Sequence, residues 1–167
     1  MPNWVEFVGV RPGRLAWAAA GALLCVLGAL ALGLWATLPN LHWYALLRRP
    51  SFRLPNLALG ATWVVVHCTM LWALIRVLRA PDWMPDRAAA IQAFFRQLAI
   101  HAVWPVVVFG LHRPKLGLGV AAALLLQLVW AMRLFGRVDR WAGALALPAL
   151  AWTIYVSLLN LSVAIRN

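Results

Sequence analysis

Three lines of aromatic and polar residues recur at helical spacing in this sequence. Gln97, His101 and Trp104 stand at i, i+4 and i+7, and Pro148, Trp152 and Tyr155 repeat the pattern nearer the C-terminal end. Thr153, Ser157 and Asn160 form a more polar line beside the second. Indoles, imidazole and carboxamides on facing helices can do recognition chemistry: flat rings offer stacking faces, and a few polar handles fix orientation. The same groups can equally do no more than hydrogen-bond across helices. His101 has three readings: packing, a polar contact to a ligand, or ligation of a metal such as haem iron. His67 has a weaker version of the same case. A hydrolytic reaction has no such support. The only carboxylates are Glu6, Asp82, Asp86 and Asp139, all near ends or loops, and no nucleophile–base–acid set or metal-ligand spacing accompanies them.

A second concentration of chemistry lies in "WYALLRRPSFRLPN", residues 43–56, between two long apolar runs. Trp43 and Tyr44 suit the headgroup level of a bilayer, and Arg48, Arg49 and Arg53 can meet phosphate or an acidic ligand there. Pro50 and Pro55 stiffen the connection, which is expected to rest over the mouth of a bundle.

These residues need elements to position them, and composition says in which solvent. Of 167 residues, 65% are hydrophobic and 11% charged, well below the roughly one quarter charged of soluble domains, so lipid is the expected solvent. Eleven tryptophans scattered along the chain suit interfaces and intramembrane packing. The net charge of +11 sits in short clusters at the ends of apolar runs rather than in one stripe or tail. That pattern fits anionic headgroups and argues against nucleic acid as a partner. Cys25 and Cys68 lie inside apolar runs without a CxxC or Cys/His spacing, and are expected as buried free thiols.

The expected fold is an all-α, integral membrane bundle of five transmembrane helices, one membrane domain over residues 1–167. Its spans lie at approximately 15–38, 57–78, 88–111, 116–135 and 141–164. Each approaches the ~20 residues that cross a ~30 Å hydrocarbon layer. The first is expected to be retained rather than cleaved as a signal, because its apolar run exceeds a signal core. In the third, Arg96 and Gln97 suggest an interfacial turn before the embedded part, and Pro105 predicts a kink. Short connections leave no room for a second domain. Arg11, Arg14, Arg76, Arg79, Arg87, Arg133, Arg137 and Arg140 share one side, which the positive-inside bias places in the cytoplasm together with the N-terminus.

In this order, the strings resemble the translocator protein family, also called tryptophan-rich sensory proteins or peripheral benzodiazepine receptors. "WYALLRRPSF" resembles the WYxxLxKP signature, with Arg49 in place of the usual lysine, and Trp63 matches the tryptophan early in the second span. "QLAIHAVW", residues 97–104, resembles QLxLNxxW, and Phe109 and Gly110 match the end of that helix. "DRWAGALALPALAW", residues 139–152, followed by Leu159 and Asn160, resembles the fifth-helix pattern.

The resemblance implies a five-helix bundle, often a homodimer, with a cavity under the first loop that takes porphyrins such as protoporphyrin IX, or haem. No cofactor is required; the tetrapyrrole is a ligand. The implied role is a membrane receptor or chaperone with a stress-regulatory function, in a bacterial-type cell membrane. Light-dependent porphyrin breakdown, and a structural membrane protein without a small-molecule ligand, are the alternatives. Trp43, Tyr44, Trp63, Trp104 and Trp152 become the pocket candidates, together with His67, His101 and Tyr155. Departures from the family pattern also stand out. Leu54, Pro55, Asn56 and Leu57 replace two prolines and a tryptophan, His67 replaces a tyrosine, His101 an asparagine, and Ala149 a tyrosine. Around the expected cavity the balance tilts toward imidazole and away from phenol.

Overall fold

A computed structural model describes residues 12–167. Glu6 and Arg11 lie outside the described residues. The chain runs through helix α1 (Pro12–Thr37), a 3₁₀ turn (Leu38–Asn40), α2 (Leu41–Leu46), α3 (Asn56–Arg79) and α4 (Arg87–Pro105). A π-helical turn (Val106–Gly110), α5 (Pro114–Val138), α6 (Arg140–Leu145) and α7 (Leu147–Arg166) complete it. Five stretches are long and apolar enough to cross a membrane: Gly13–Leu46, Leu57–Arg79, Arg87–Gly110, Pro114–Val138 and Arg140–Arg166. The protein is an all-α integral membrane bundle. In hydrocarbon each backbone N–H and C=O must be satisfied within its own segment, which selects helix throughout these Leu- and Ala-rich runs.

Prolines and aspartates punctuate the helices where the sequence places them. Pro55 immediately precedes α3, Pro114 occupies its first turn position in α5, and Pro148 does so in α7. Between α3 and α4, Pro81 and Pro85 bar helix continuation, and Asp86 takes a left-handed φ of 64° at the start of α4. Arg87 closes this corner by pairing with Asp82 at 2.9 Å and donating to the Leu78 carbonyl at 3.1 Å.

The third span corrects one expectation. It is helical from Arg87, with Gln97 buried and Arg96 on the exposed face, so no interfacial turn precedes it. At Pro105, where a kink is expected, the α-helix gives way to the π turn, in which the Leu111 N–H reaches back to the Val106 carbonyl at 2.8 Å. Cys25 and Cys68 are free, as expected, but they lie on the exposed, lipid-facing surface rather than buried.

Packing is uneven along the bundle. At the end holding the α3–α4 corner, Leu74, Val77, Phe94, Leu128 and Phe135 interlock with Ala73, Ala90, Ala93, Ala131 and Ala142 into one core. Small residues let the helices approach closely there. At the opposite end only a smaller cluster forms, around Trp104, Val108 and Ala121, and bulky rings stand around a space instead of filling it. Helix α1 contributes little: Ala22, Val26, Gly33 and Ala36 are buried, whereas Trp17, Leu24 and Trp35 face outward.

Asp139 fastens the tight end. Its carboxylate accepts from the Trp141 and Ala142 N–H groups at the start of α6, at 2.7 and 3.2 Å, and pairs with Arg76 at 2.7 Å. Burial raises the Asp139 carboxyl, but the Arg76 hydrogen bond, the capped amides and the Arg76 charge outweigh it and hold the group below its ordinary 3.8. A depressed folded value means that the stabilisation is fully present above about pH 4 and is lost as pH falls through the folded value. Thermal unfolding in detergent should therefore decline more steeply below about pH 4 for the native chain than for Asp139→Asn, whose curve lacks this component.

Candidate functional site

The space at the looser end is a recess of about 320 Å³, within the range of ligand pockets. Its walls are almost wholly apolar. α1 contributes Leu30, Gly33, Leu34 and Thr37, α3 contributes Leu59, Gly60, Trp63 and Val64, and α4 with its π turn contributes Trp104, Val108 and Phe109. α7 adds Trp152, Val156, Leu159, Asn160 and Val163. The α1–α3 connection forms the roof through Leu38, Leu41, Trp43, Tyr44, Leu47 and Arg53.

Of the residues singled out in the sequence, Trp43, Tyr44, Trp63, Trp104 and Trp152 stand together on this wall. The rings form a connected lining: Trp63 lies 6.4 Å from Trp104, Trp104 meets Phe109 edge-on at 5.9 Å, and Phe109 meets Tyr44 at 5.2 Å. The guanidinium groups of Arg49 and Arg53 approach the Tyr44 ring at 5.9 and 5.8 Å, so positive charge stands at the roof.

The structure gives His67, His101 and Tyr155 other places. Both imidazoles are buried behind Trp63, 4.8 Å apart centre to centre, and neither lines the main recess. His67 donates from Nδ1 to the Trp63 carbonyl at 2.8 Å, and His101 meets the Trp63 ring edge-on at 4.9 Å. They buttress the indole. His101 does line a second space of about 10 Å³, between Trp63, Trp104 and Trp152, which holds nothing as large as a ring. The histidine positions therefore do not fit ligation of a haem iron. Among the described residues there is also no cluster of three or more metal-ligating side chains.

Tyr155 is a clamp for the roof. Its hydroxyl accepts from the Leu54 N–H at 2.9 Å and donates to the Phe52 carbonyl at 3.3 Å, with the Phe52 ring edge-on at 6.5 Å. Asn167 adds a second tie, accepting from the Arg48 N–H at 3.1 Å and donating to its carbonyl at 3.4 Å. A third holds the other end: the His112 ring stacks on Trp43 at 4.1 Å and bonds Asn40 at 2.8 Å.

The polar line of α7 bonds mostly within its own helix. Thr153 donates to the Ala149 carbonyl at 2.8 Å and Ser157 to the Thr153 carbonyl at 2.7 Å, while Gln127 reaches across from α5 to the Ala93 carbonyl of α4 at 3.2 Å. The Asn160 carboxamide packs against Gly117 of α5, where any side chain would collide with it and with Val108. Sequence reading missed Gly33, Gly60 and Leu47 as site residues. A helical glycine signals a close approach or a gap only once its neighbour is known.

The architecture, the roofed recess and the ordered motifs agree with a match of residues 15–166 to the TspO/MBR family model. The chain belongs to the TspO/MBR family. Among similar proteins, the tryptophan-rich protein TspO of Archaeoglobus fulgidus is 29% identical over 125 residues, covering 75% of this chain and 80% of that one. The tryptophan-rich sensory protein of Cereibacter sphaeroides is 29% identical over 119 residues, covering 71% and 73%. The human translocator protein is 28% identical over 129 residues, covering 72% of each chain. For this TspO/MBR member, the match begins at Leu15 and takes in the first helix, where the motifs alone were weakest.

Proposed function

We propose that the protein is a membrane receptor for a flat amphipathic tetrapyrrole, of which protoporphyrin IX is the first candidate, held in the roofed recess. The observation that carries this reading is the enclosure of one apolar recess by the indoles of Trp43, Trp63, Trp104 and Trp152, with Arg53 at its roof. A macrocycle buried there gains roughly 25 cal/mol for each Å² of apolar surface removed from water, so the ring dominates affinity. Its propionates reach toward Arg53, with Arg48 and Arg49 beside it on the same connection, and charge-assisted hydrogen bonds set the orientation. Membership of a family whose relatives include a tryptophan-rich sensory protein supports a sensory use of that binding.

Nothing in this reading passes through iron, since the imidazoles stand behind Trp63. The chain's own contribution is to exclude water, supply stacking faces and meet carboxylates at one end.

Titration of the protein in nanodiscs with protoporphyrin IX, followed by tryptophan quenching, tests the reading. The dimethyl ester, which lacks the carboxylates, is expected to bind about tenfold more weakly, the equivalent of one charge-assisted contact. In Arg53→Gln the acid and the ester should bind alike. Absence of saturable quenching by either form would sink the proposal.

A further inference from the structure

We propose that the recess is loaded sideways, by a flat amphipathic molecule already dissolved in the bilayer, through a slot between α1 and α3. The walls of the recess differ in what lies behind them. Trp104, Val108, Trp152, Leu159 and Val163 are buried against the rest of the bundle. On the α1–α3 side, residues that line the recess are also open to the outside: Leu34 is 55% exposed, Leu38 58% and Val64 52%, and Gly60 is exposed as well. A residue that faces both the cavity and the lipid marks an opening.

Two glycines bound that opening. At Gly33 of α1 an added Cβ would stand 3.3 Å from the Trp63 ring, so the two helices touch there and the indole forms a sill. One turn along α3 toward the roof, an added Cβ at Gly60 would meet nothing within 4 Å. The missing side chain leaves a gap between sill and roof. Its rims are apolar, and the backbone groups of α1 and α3 are engaged within their helices, so an apolar ring passing through meets no unsatisfied polar group.

The route from water is closed by comparison. Tyr155, Asn167 and His112 tie the roof to α7 and to the α4–α5 connection by the hydrogen bonds already described. Entry from above breaks these, whereas entry through the slot breaks none. An amphipathic ligand that partitions into the bilayer approaches at the depth of the slot with its carboxylates toward the headgroups. That orientation brings them in beneath Arg53.

The inference rests on the tetrapyrrole reading for its first probe, and a second probe separates the two. Protein in nanodiscs is mixed with vesicles preloaded with protoporphyrin IX, or with pyrene, which is flat and carries no carboxylate. Loading is followed by quenching of the indoles or by energy transfer from them. Gly60→Leu is expected to slow both association and dissociation about tenfold, because a plug at the entrance obstructs passage in both directions, whereas a leucine that only took up ligand space would speed dissociation. Gly60→Ala should fall between it and the native chain. Gly119→Leu, at an exposed glycine of α5 where an added Cβ also meets nothing, should load at the native rate.

Native loading rates in Gly60→Leu overturn the slot. So does faster loading on slackening the roof with Tyr155→Phe while Gly60→Leu has no effect. Pyrene loading that depends on Gly60, with no porphyrin binding, removes the tetrapyrrole reading and leaves the slot standing. If neither molecule occupies the recess, both fall.

Discussion

Replacing Trp104 and Trp152 together by alanine is expected to weaken protoporphyrin binding about 100-fold, roughly tenfold for each stacking face lost. Both indoles line the recess, and both are more than nine-tenths buried. Truncation therefore also leaves voids, and a Trp→Ala change in a core costs about 3–5 kcal/mol of stability. The paired Trp104→Phe and Trp152→Phe variant separates the two effects. Among the described residues neither indole N–H has a hydrogen-bond partner, so phenylalanine removes no bond seen there and keeps a ring in place. It should bind within about tenfold of the native chain. Equal affinity of the alanine pair and the native protein, measured by fluorescence titration on material with intact helicity, would dismiss these rings as the wall.

A second large effect is expected at Gly143, where α6 crosses α5. An added Cβ would lie 2.9 Å from the Gly136 Cα, 3.1 Å from its nitrogen and 3.2 Å from the Met132 carbonyl oxygen. All three are backbone atoms, so relief requires the helices to part. Gly143→Ala should destabilise the bundle by about 1–3 kcal/mol, and Gly143→Leu should prevent assembly of this end. Gly136→Ala is the matched control. A Cβ there meets nothing within 4 Å, and the better helix propensity of alanine makes the change neutral or stabilising by up to about 1 kcal/mol. Unfolding midpoints in detergent check the pair, and similar shifts for both would mean that the contact is not as tight as described.

The dependence on neighbours explains which features are legible in the sequence. Apolar length, proline and aspartate punctuation, and the positions of the basic residues are local quantities, so they suffice to specify a helical membrane bundle. The aromatic loop is legible too, because Trp43, Tyr44 and the arginines lie within a few residues of one another. His67, His101 and Tyr155 share helical periodicity with true wall residues. Their periodicity says that they face inward, but not whether they face the recess, another ring or the roof. A turn of helix spans ~5.4 Å, less than the width of an indole side chain, so a small difference in rotation or depth decides between lining and buttressing.

The exposure of the cysteines departs from expectation for a related reason. An apolar run has a lipid-facing side as well as a core-facing one, and hydropathy is blind to the difference when the outer solvent is itself apolar. The sequence by itself determined that this chain folds in lipid as a helical bundle, and its ordered motifs placed it with its relatives. Only the tertiary structure decided that the imidazoles stand behind Trp63, that Tyr155 holds the roof, and that Gly60 lines the recess at a point where a Cβ would meet no neighbour. Those outcomes depend on the distance between helices, which is set by side chains far apart in the chain meeting in space.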